Sequence, residues 1–364
     1  MSLSQAEAFA RIRLLRSPNI GPVSYRQLLA RFSTAEAALA ALPDLAGRGG
    51  APYRPATESR VSDEIAAVKR TGARYLFHDS PDYPPLLLQS EGAPPILTAR
   101  GDSAIAARPC VAIVGARNAS AAAVKLARQF AASLSEAGFA VASGLARGID
   151  GAAHGAVLGG PGGTIGVIAS GIDIAYPPEH SALQEEVATR GLLLAEQPPG
   201  TEPLARHFPS RNRIIAGLAL GTLVVEAAPK SGSLITARLA GEYGREVMAV
   251  PGSPLEPRAQ GCNLLIREGA VLVQSAADVI ELLSSFDGTP KSTFREPAAQ
   301  WSGPEDLADD PADIAGLLTL APVGVNELIR QSGEPAPAVQ FALLELELAG
   351  RLVRHAGGRV SLAT

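Results

Sequence analysis

Two stretches of this sequence combine glycine, small hydroxyl residues and arginine in an order suited to holding an anion. One runs Ser143-Gly144-Leu145-Ala146-Arg147-Gly148-Ile149-Asp150. The other runs Phe208-Pro209-Ser210-Arg211-Asn212-Arg213 and is followed by Lys230-Ser231-Gly232-Ser233. Each lies where an apolar strand gives way to a helix. A helix start offers unpaired backbone N–H groups and the positive end of its dipole, so phosphate is the matching ligand. A third turn, Gly115-Ala116-Arg117-Asn118, closes another apolar strand. Its guanidinium suits bidentate phosphate contact; the alternative is a structural ion pair with Asp150 or Glu226.

The known nucleotide fingerprints are missing around these turns. A dinucleotide site wants GxGxxG after the first strand and an acid closing the second; Gly115 stands alone and the second strand ends in Ser143-Gly144. A Walker A loop needs GxxxxGK[ST], and Ala227-Ala228-Pro229-Lys230-Ser231 lacks the glycines. Asp150 and His154 share a helical face, but no nucleophile or metal-ligand set accompanies them. Capping by Asp150 and a hydrogen-bonded His154 is the simpler reading. No catalytic residue, cofactor or metal is expected, and the protein reads as a non-enzyme. Residues 200 to 238 hold Arg206, Arg211, Arg213, Lys230 and Arg238 against Glu202 and Glu226, a local formal charge of +3. The expected anion is therefore a nucleic-acid backbone, held through phosphates with few stacking platforms. Of the aromatic loop candidates Tyr176 and Phe208, Phe208 is expected to pack in the core.

Positioning these turns requires a sheet. Strands are expected at 111–114, 139–142, 164–168, 192–195, 222–225, 246–250 and 271–273, with helices between them such as 121–137 and 233–243. Continuous apolar strands alternating with helices indicate a parallel sheet covered on both faces, with its ligand at the carboxyl ends of the strands. Ser210 is expected to cap the helix that carries Arg211.

Residues 1–75 read as a small helical domain, with Asn19-Ile20-Gly21-Pro22 breaking two helices and Ser24 as a candidate cap. That turn fits either a phosphate-holding hairpin or a tight connection in a bundle. The core domain is expected over 76–285 and a linker over 286–305. Residues 306–364 suggest three helices, the first near 309–320, and a hairpin over Gly357-Gly358, the elements of a winged helix. From Asp306 onward the formal charge is −4, so this module is expected to contact protein, or DNA only weakly.

The chain has 364 residues, 46% hydrophobic and 19% charged, with a formal net charge of −4. This describes a globular protein of two or three domains. Cys110 and Cys262 form no CxxC pair, which fits a reducing cytoplasm. No secretory signal pattern or membrane span is expected.

The motifs resemble one family closely, the DprA/Smf family of DNA-processing proteins. The likeness rests on Val114-Gly115-Ala116-Arg117, the Ser143–Asp150 stretch, Gly163-Thr164-Ile165, Gly171-Ile172-Asp173-Ile174-Ala175-Tyr176-Pro177, Phe208–Ile215, Ser231–Ala237 and Val250-Pro251-Gly252. The resemblance implies an extended Rossmann-like, doubly wound, mostly parallel sheet. It also implies a SAM-like or helix-hairpin-helix-like N-terminal domain and a C-terminal winged helix. A homodimer that binds single-stranded DNA, protects incoming strands in natural transformation and loads the RecA recombinase onto DNA coated by single-strand-binding protein would follow. Arg117 and Lys230 are the leading DNA contacts by motif position. Arg147, Arg211, Asn212 and Ser231 to Ser233 come next, with Gly115, Gly144 and Arg213 also in the expected site. Ala116 stands where the family often has serine, which removes one hydroxyl donor. The competing readings are a nucleotide-binding enzyme or sensor on the same fold, and a transcription regulator using the winged helix. Gly162-Gly163-Thr164-Ile165 lacks the nearby glutamate of the related phosphoribohydrolases.

Overall fold

A computed structural model of the chain describes residues 3–47, 53–90, 92–284, 314–355 and 357–363. The linker expected at 286–305 lies outside the described residues. The chain divides into two compact units, residues 64–292 and the two ends together, 1–63 with 293–364.

Four helices come first: α1 (Gln5–Leu15), α2 (Pro22–Phe32), α3 (Ala35–Gly47) and α4 (Glu58–Arg70). Ser24 does not cap α2, which starts two residues earlier because proline is preformed for the first helical position. The Ser24 hydroxyl instead reaches back to accept from the Gly21 N–H at 2.9 Å. The Gly21 amide of that turn is thus already used within the turn.

The larger unit holds β1 (Arg74–Phe77), α5 (Pro85–Leu88), β2 (Ile96–Gly101), β3 (Cys110–Val114), α6 (Ala121–Glu136), β4 (Ala140–Ser143), α7 (Ile149–Val157), β5 (Thr164–Gly171) and α8 (Ser181–Arg190). It continues through β6 (Leu192–Gln197), α9 (His207–Leu218), β7 (Gly221–Val224), α10 (Gly232–Glu242), β8 (Glu246–Ala249), α11 (Gln260–Arg267), β9 (Val271–Leu272) and α12 (Ala276–Ser284). The nine strands form one sheet in the order β1-β2-β6-β5-β4-β3-β7-β8-β9. Only β2 runs opposite in direction to the other eight strands. Alternate residues of β3 face opposite cores: Val111 and Ile113 pack with Phe130 and Leu134 of α6, while Ala112 and Val114 join the cluster of Ile214, Ile215 and Leu218 from α9. Burial on both faces explains the unbroken apolar strands. From β3 the chain winds outward through β4, β5 and β6, then returns to place β7 on the other side of β3. The carboxyl ends of β3 and β7 therefore bound the switch point where such sheets take ligands.

After a 3-10 turn at Ile314–Leu317 come β10 (Val323–Gly324), α13 (Val325–Ser332), α14 (Ala336–Leu348), β11 (Leu352–His355) and β12 (Arg359–Leu362). That turn is all that the described residues show of the helix expected near 309–320. The three strands pair in the order β10-β12-β11, and the hairpin over Gly357 and Gly358 is present, both at positive φ. This is a winged helix whose α14 divides its faces. Val339 and Leu343 fill the winged-helix core with Leu328, Leu352 and Val360. Leu344 and Leu348 instead enter the core of the N-terminal helices beside Leu14, Tyr25, Leu28 and Leu42. Around that contact the Gln27 amide donates to Gln340 Oε1 at 2.9 Å, the Asn19 amide donates to the Leu348 carbonyl at 3.1 Å, and the Arg31 guanidinium sits 4.3 Å above the Phe341 ring centroid. The position a winged helix would use to read a groove is here a protein contact within the chain.

Leu344→Ala should cost roughly 2–5 kcal/mol, the usual range for emptying a buried leucine site. The loss should register as faster amide exchange in α2 and α3, hundreds of residues away in sequence. Unchanged protection there would overturn the shared core.

Candidate nucleic-acid interface

The turn after β3 is fastened to the neighbouring strand. The Ala116 N–H donates to the Glu226 carbonyl at 2.7 Å. Gly115 is required by close approach: a Cβ there would press on the Ile149 side chain and the Glu226 carbonyl. The Glu226 carboxylate does not pair with Arg117. It accepts from the Ser120 N–H (3.0 Å) and hydroxyl (2.6 Å), while Ser120 caps α6. Arg117 is left exposed, its guanidinium 5.1 Å from the Phe208 ring centroid. Among the described residues it carries no ion pair.

The loop after β4 is shaped by one buried carboxylate. Asp150 lies inside α7, whose N-cap is Gly148 without a side-chain cap bond, so it does not cap the helix as expected; its Oδ2 instead accepts from the N–H groups of Gly144 (3.2 Å) and Ala146 (3.4 Å) in the loop ahead. Leu145 is held at φ +55, with its side chain fully buried and its carbonyl accepting from His180 Nδ1 at 2.9 Å. Arg147 is exposed but ion-paired with Glu179, which keeps the Glu179 carboxyl below its usual range. An exposed pair of this kind contributes little to stability, and it half-neutralises the charge expected to face phosphate.

The helix α9 starts at His207, so Ser210 lies inside its first turn and does not cap it. Arg211 projects beneath the loop after β4 and is only 7% exposed. Its Nη1 is 4.0 Å from Asp150 Oδ2, and a side chain at Gly144 would run into the guanidinium. Burial pushes the Asp150 carboxyl up and the Arg211 guanidinium down despite their mutual attraction. Desolvation outweighs Coulomb attraction at this separation. The Asn212 amide donates to the Gly232 carbonyl at 3.3 Å, tying α9 to α10. Arg213 turns away altogether, ion-paired with Glu196 and bonded to the Gly92 carbonyl.

Beyond β7, Lys230 is exposed at φ +66, a region that non-glycine residues rarely occupy. Ser231 caps α10 by accepting from the Ser233 N–H at 3.4 Å, and the two hydroxyls lie 2.8 Å apart. Gly232, exposed, opens the helix. Arg117 and Lys230 thus stand on the loops that follow adjacent strands, one on each side of the switch point, and among the described residues neither is in an ion pair.

Gly144, Arg117, Arg147 and Arg211 gather around one recess of about 320 Å³, which Tyr176 and Phe208 also line. The Ser231–Ser233 cap lies on the next loop, Asn212 acts between helices, and Arg213 is outside the site. Besides the Ser210 and Asp150 caps, two expectations are corrected: Phe208 is half-buried against Tyr176 and not a core residue, and Arg211 and Arg213 of α9 are buried or paired. The signal for Phe208 was its spacing. Positions 208 and 211 share a helix face, whereas 213 lies well round from it.

The doubly wound sheet, with exposed Arg117 and Lys230 on the loops at its switch point, is a Rossmann-like domain. Residues 74–284 match the family described as DNA recombination-mediator protein A, residues 5–67 the DprA-like N-terminal HHH domain and residues 296–358 the DprA winged helix domain. Protein Smf of Escherichia coli K12 is 39% identical over 307 residues, covering 83% of this chain and 81% of that protein. DNA processing protein DprA of Streptococcus pneumoniae is 46% identical over 198 residues, 54% of this chain and 70% of that protein. A crystal structure of the S. pneumoniae protein superposes with a TM-score of 0.64 at 34% identity, covering 77% of this chain and 98% of that one. DNA processing protein A from Helicobacter pylori, described for its single-stranded DNA binding mode, gives 0.53 at 28% identity over 58% of this chain and 95% of that one. The chain belongs to the DprA/Smf family.

His154, four residues after Asp150, is a structural group. Its Nδ1 lies 2.7 Å from the Thr164 hydroxyl, and burial pushes the imidazole down to about 3 from the usual 6.5. The folded protein keeps this ring neutral where the unfolded chain protonates it. Stability should therefore fall as pH drops from about 6.5 towards 3, with a limiting slope of about 1.4 kcal/mol per pH unit. His154→Asn should flatten that limb in denaturant titrations at successive pH values; an unaltered slope would contradict the assignment.

Proposed function

We propose that this chain is a single-stranded DNA-binding recombination mediator. The observation that carries the reading is the pair of exposed cations, Arg117 and Lys230, on the loops that end β3 and β7. A strand laid across the switch point meets both charges, the N-terminal end of α10 and the recess that Gly144 and Arg211 help to line. Family membership, and a single-stranded DNA binding mode named for the H. pylori relative, point the same way.

The finer reading is that the protein works without catalysing a reaction, as a cytoplasmic homodimer. It shields incoming strands during natural transformation and loads RecA onto DNA coated by single-strand-binding protein. The match to the family described as DNA recombination-mediator protein A supports a role in recombination. The edge strand β9 exposes Val271 and Leu272, an apolar edge of the kind that pairs with another chain. No helix among the described residues is long and apolar enough to cross a membrane.

Arg117→Ala and Lys230→Ala should each weaken binding of a short oligothymidine and lower the slope of log K against log salt by about one. Wild-type affinity and slope in both variants would sink the site. For the finer reading, adding the protein to RecA and strands coated by single-strand-binding protein should shorten the lag in RecA's strand-dependent ATP hydrolysis. An unchanged lag at saturating protein would reject loading.

A further inference from the structure

A second cavity lies on the face of the sheet opposite α9, where α6 and α7 pack on Val111 and Ile113. It is an open groove of about 590 Å³, within the usual range of binding sites, roughly 300–1,000 Å³. Gly151, Ala152, Gly155 and Ala156 of α7 form its floor, with Arg128 of α6 on one side and His180 on the other. Small residues thus recur every three to four positions along α7, the spacing of the grooves that receive the ridges of a second helix.

The two glycines of this floor differ in what requires them. A Cβ at Gly151 would press on the His180 ring, whose Nδ1 is fastened to the Leu145 carbonyl, so the fold itself needs that glycine. Gly155 has no such reason within the chain. It is exposed in the interior of α7, and a Cβ there would meet nothing within 4 Å. A glycine inside a helix costs stability relative to alanine, and what it offers in return is the close approach of another backbone.

The rim of the groove is cationic. Lys125 and Arg128, one turn apart on α6, are exposed and in no ion pair among the described residues. No residue lining the groove is acidic. Asp150 of α7 is buried against the loop amides, and Glu179 is held by Arg147. The same lining is unsuited to nucleic acid. It has no aromatic side chain for a base, and the N–H groups of Ile149, Gly151 and Ala152 at the start of α7 already donate to the carbonyls of Ala116, Ala146 and Gly148. Cations above a small, close-approach floor match carboxylates carried on a second helix.

We propose that this groove docks an acidic helix of a partner protein, whose small or aliphatic side chains lie along α7 while its carboxylates meet Lys125 and Arg128. The groove shares no lining residue with the recess beside Arg117, and the proposal does not depend on the strand site.

The test uses the full chain and a labelled synthetic helix of alanine, leucine and glutamate, about 15 residues long so that it is helical by itself, with binding read by fluorescence anisotropy. Gly155→Ala should raise the melting temperature, since open space surrounds the added methyl. Gly155→Leu should leave the fold intact in melting curves but weaken peptide binding roughly tenfold or more, the scale on which overpacking is penalised. Arg128→Glu should weaken it by a similar factor and shift affinity to a peptide with lysine in place of glutamate. All three variants should bind oligothymidine as the wild type does. No peptide binding by the wild-type chain, or full-strength binding by both Gly155→Leu and Arg128→Glu, would overturn the proposal. So would weaker oligothymidine binding with a lower salt slope in Arg128→Glu, which assigns the groove to nucleic acid. A changed oligomeric state in Gly155→Leu would equally overturn it, assigning the groove to a second copy of this chain.

Discussion

The strand-end architecture depends on a single buried carboxylate. Asp150 holds the amides of Gly144 and Ala146 and faces Arg211, so one residue sets the course of the loop, the position of α7 and the depth at which α9 presents its cation. Burying a carboxylate without full compensation is unfavourable, and its upward-shifted pKa records that cost. The fold tolerates it because the loop would otherwise leave two interior amides unpaired. Leu145, held at positive φ by its buried side chain, shows how tightly this segment is specified.

Around that anchor the charges have separate jobs. Glu226 is occupied with the start of α6, Glu179 with Arg147 and Glu196 with Arg213. Arg117 and Lys230, in no ion pair among the described residues, sit at the reversal of strand order, where helix starts and backbone amides already favour anions. A negative overall charge is therefore no obstacle to holding a polyanion, because the field that matters is local.

Much of this was legible in the sequence. Apolar strands with intervening helices identify a parallel sheet, and Gly115, Gly144, Arg117 and Lys230 mark its strand ends because chain punctuation there is local chemistry. The strand order was not legible, since pairing β3 with β7 joins residues about a hundred positions apart. Nor does a helix pattern say which arginine meets the sheet: Arg211 and Arg213 look alike until α9 is docked, after which one lies under the recess and the other binds Glu196. Phe208 was misplaced for the same reason. The docking of Leu344 and Leu348 against the N-terminal helices has no local signature, because both residues fit an ordinary winged-helix core.

That docking makes the terminal module discontinuous, with the whole sheet domain inserted between its halves. Synthesis proceeds from one end, so the N-terminal helices leave the ribosome with a hole where two leucines of α14 belong. The sheet domain is complete before those leucines are made, and can fold as a unit while the opening segment waits. Closure of the terminal module therefore waits for α14, and a chain cut short before it carries its defect at the N-terminal helices as well.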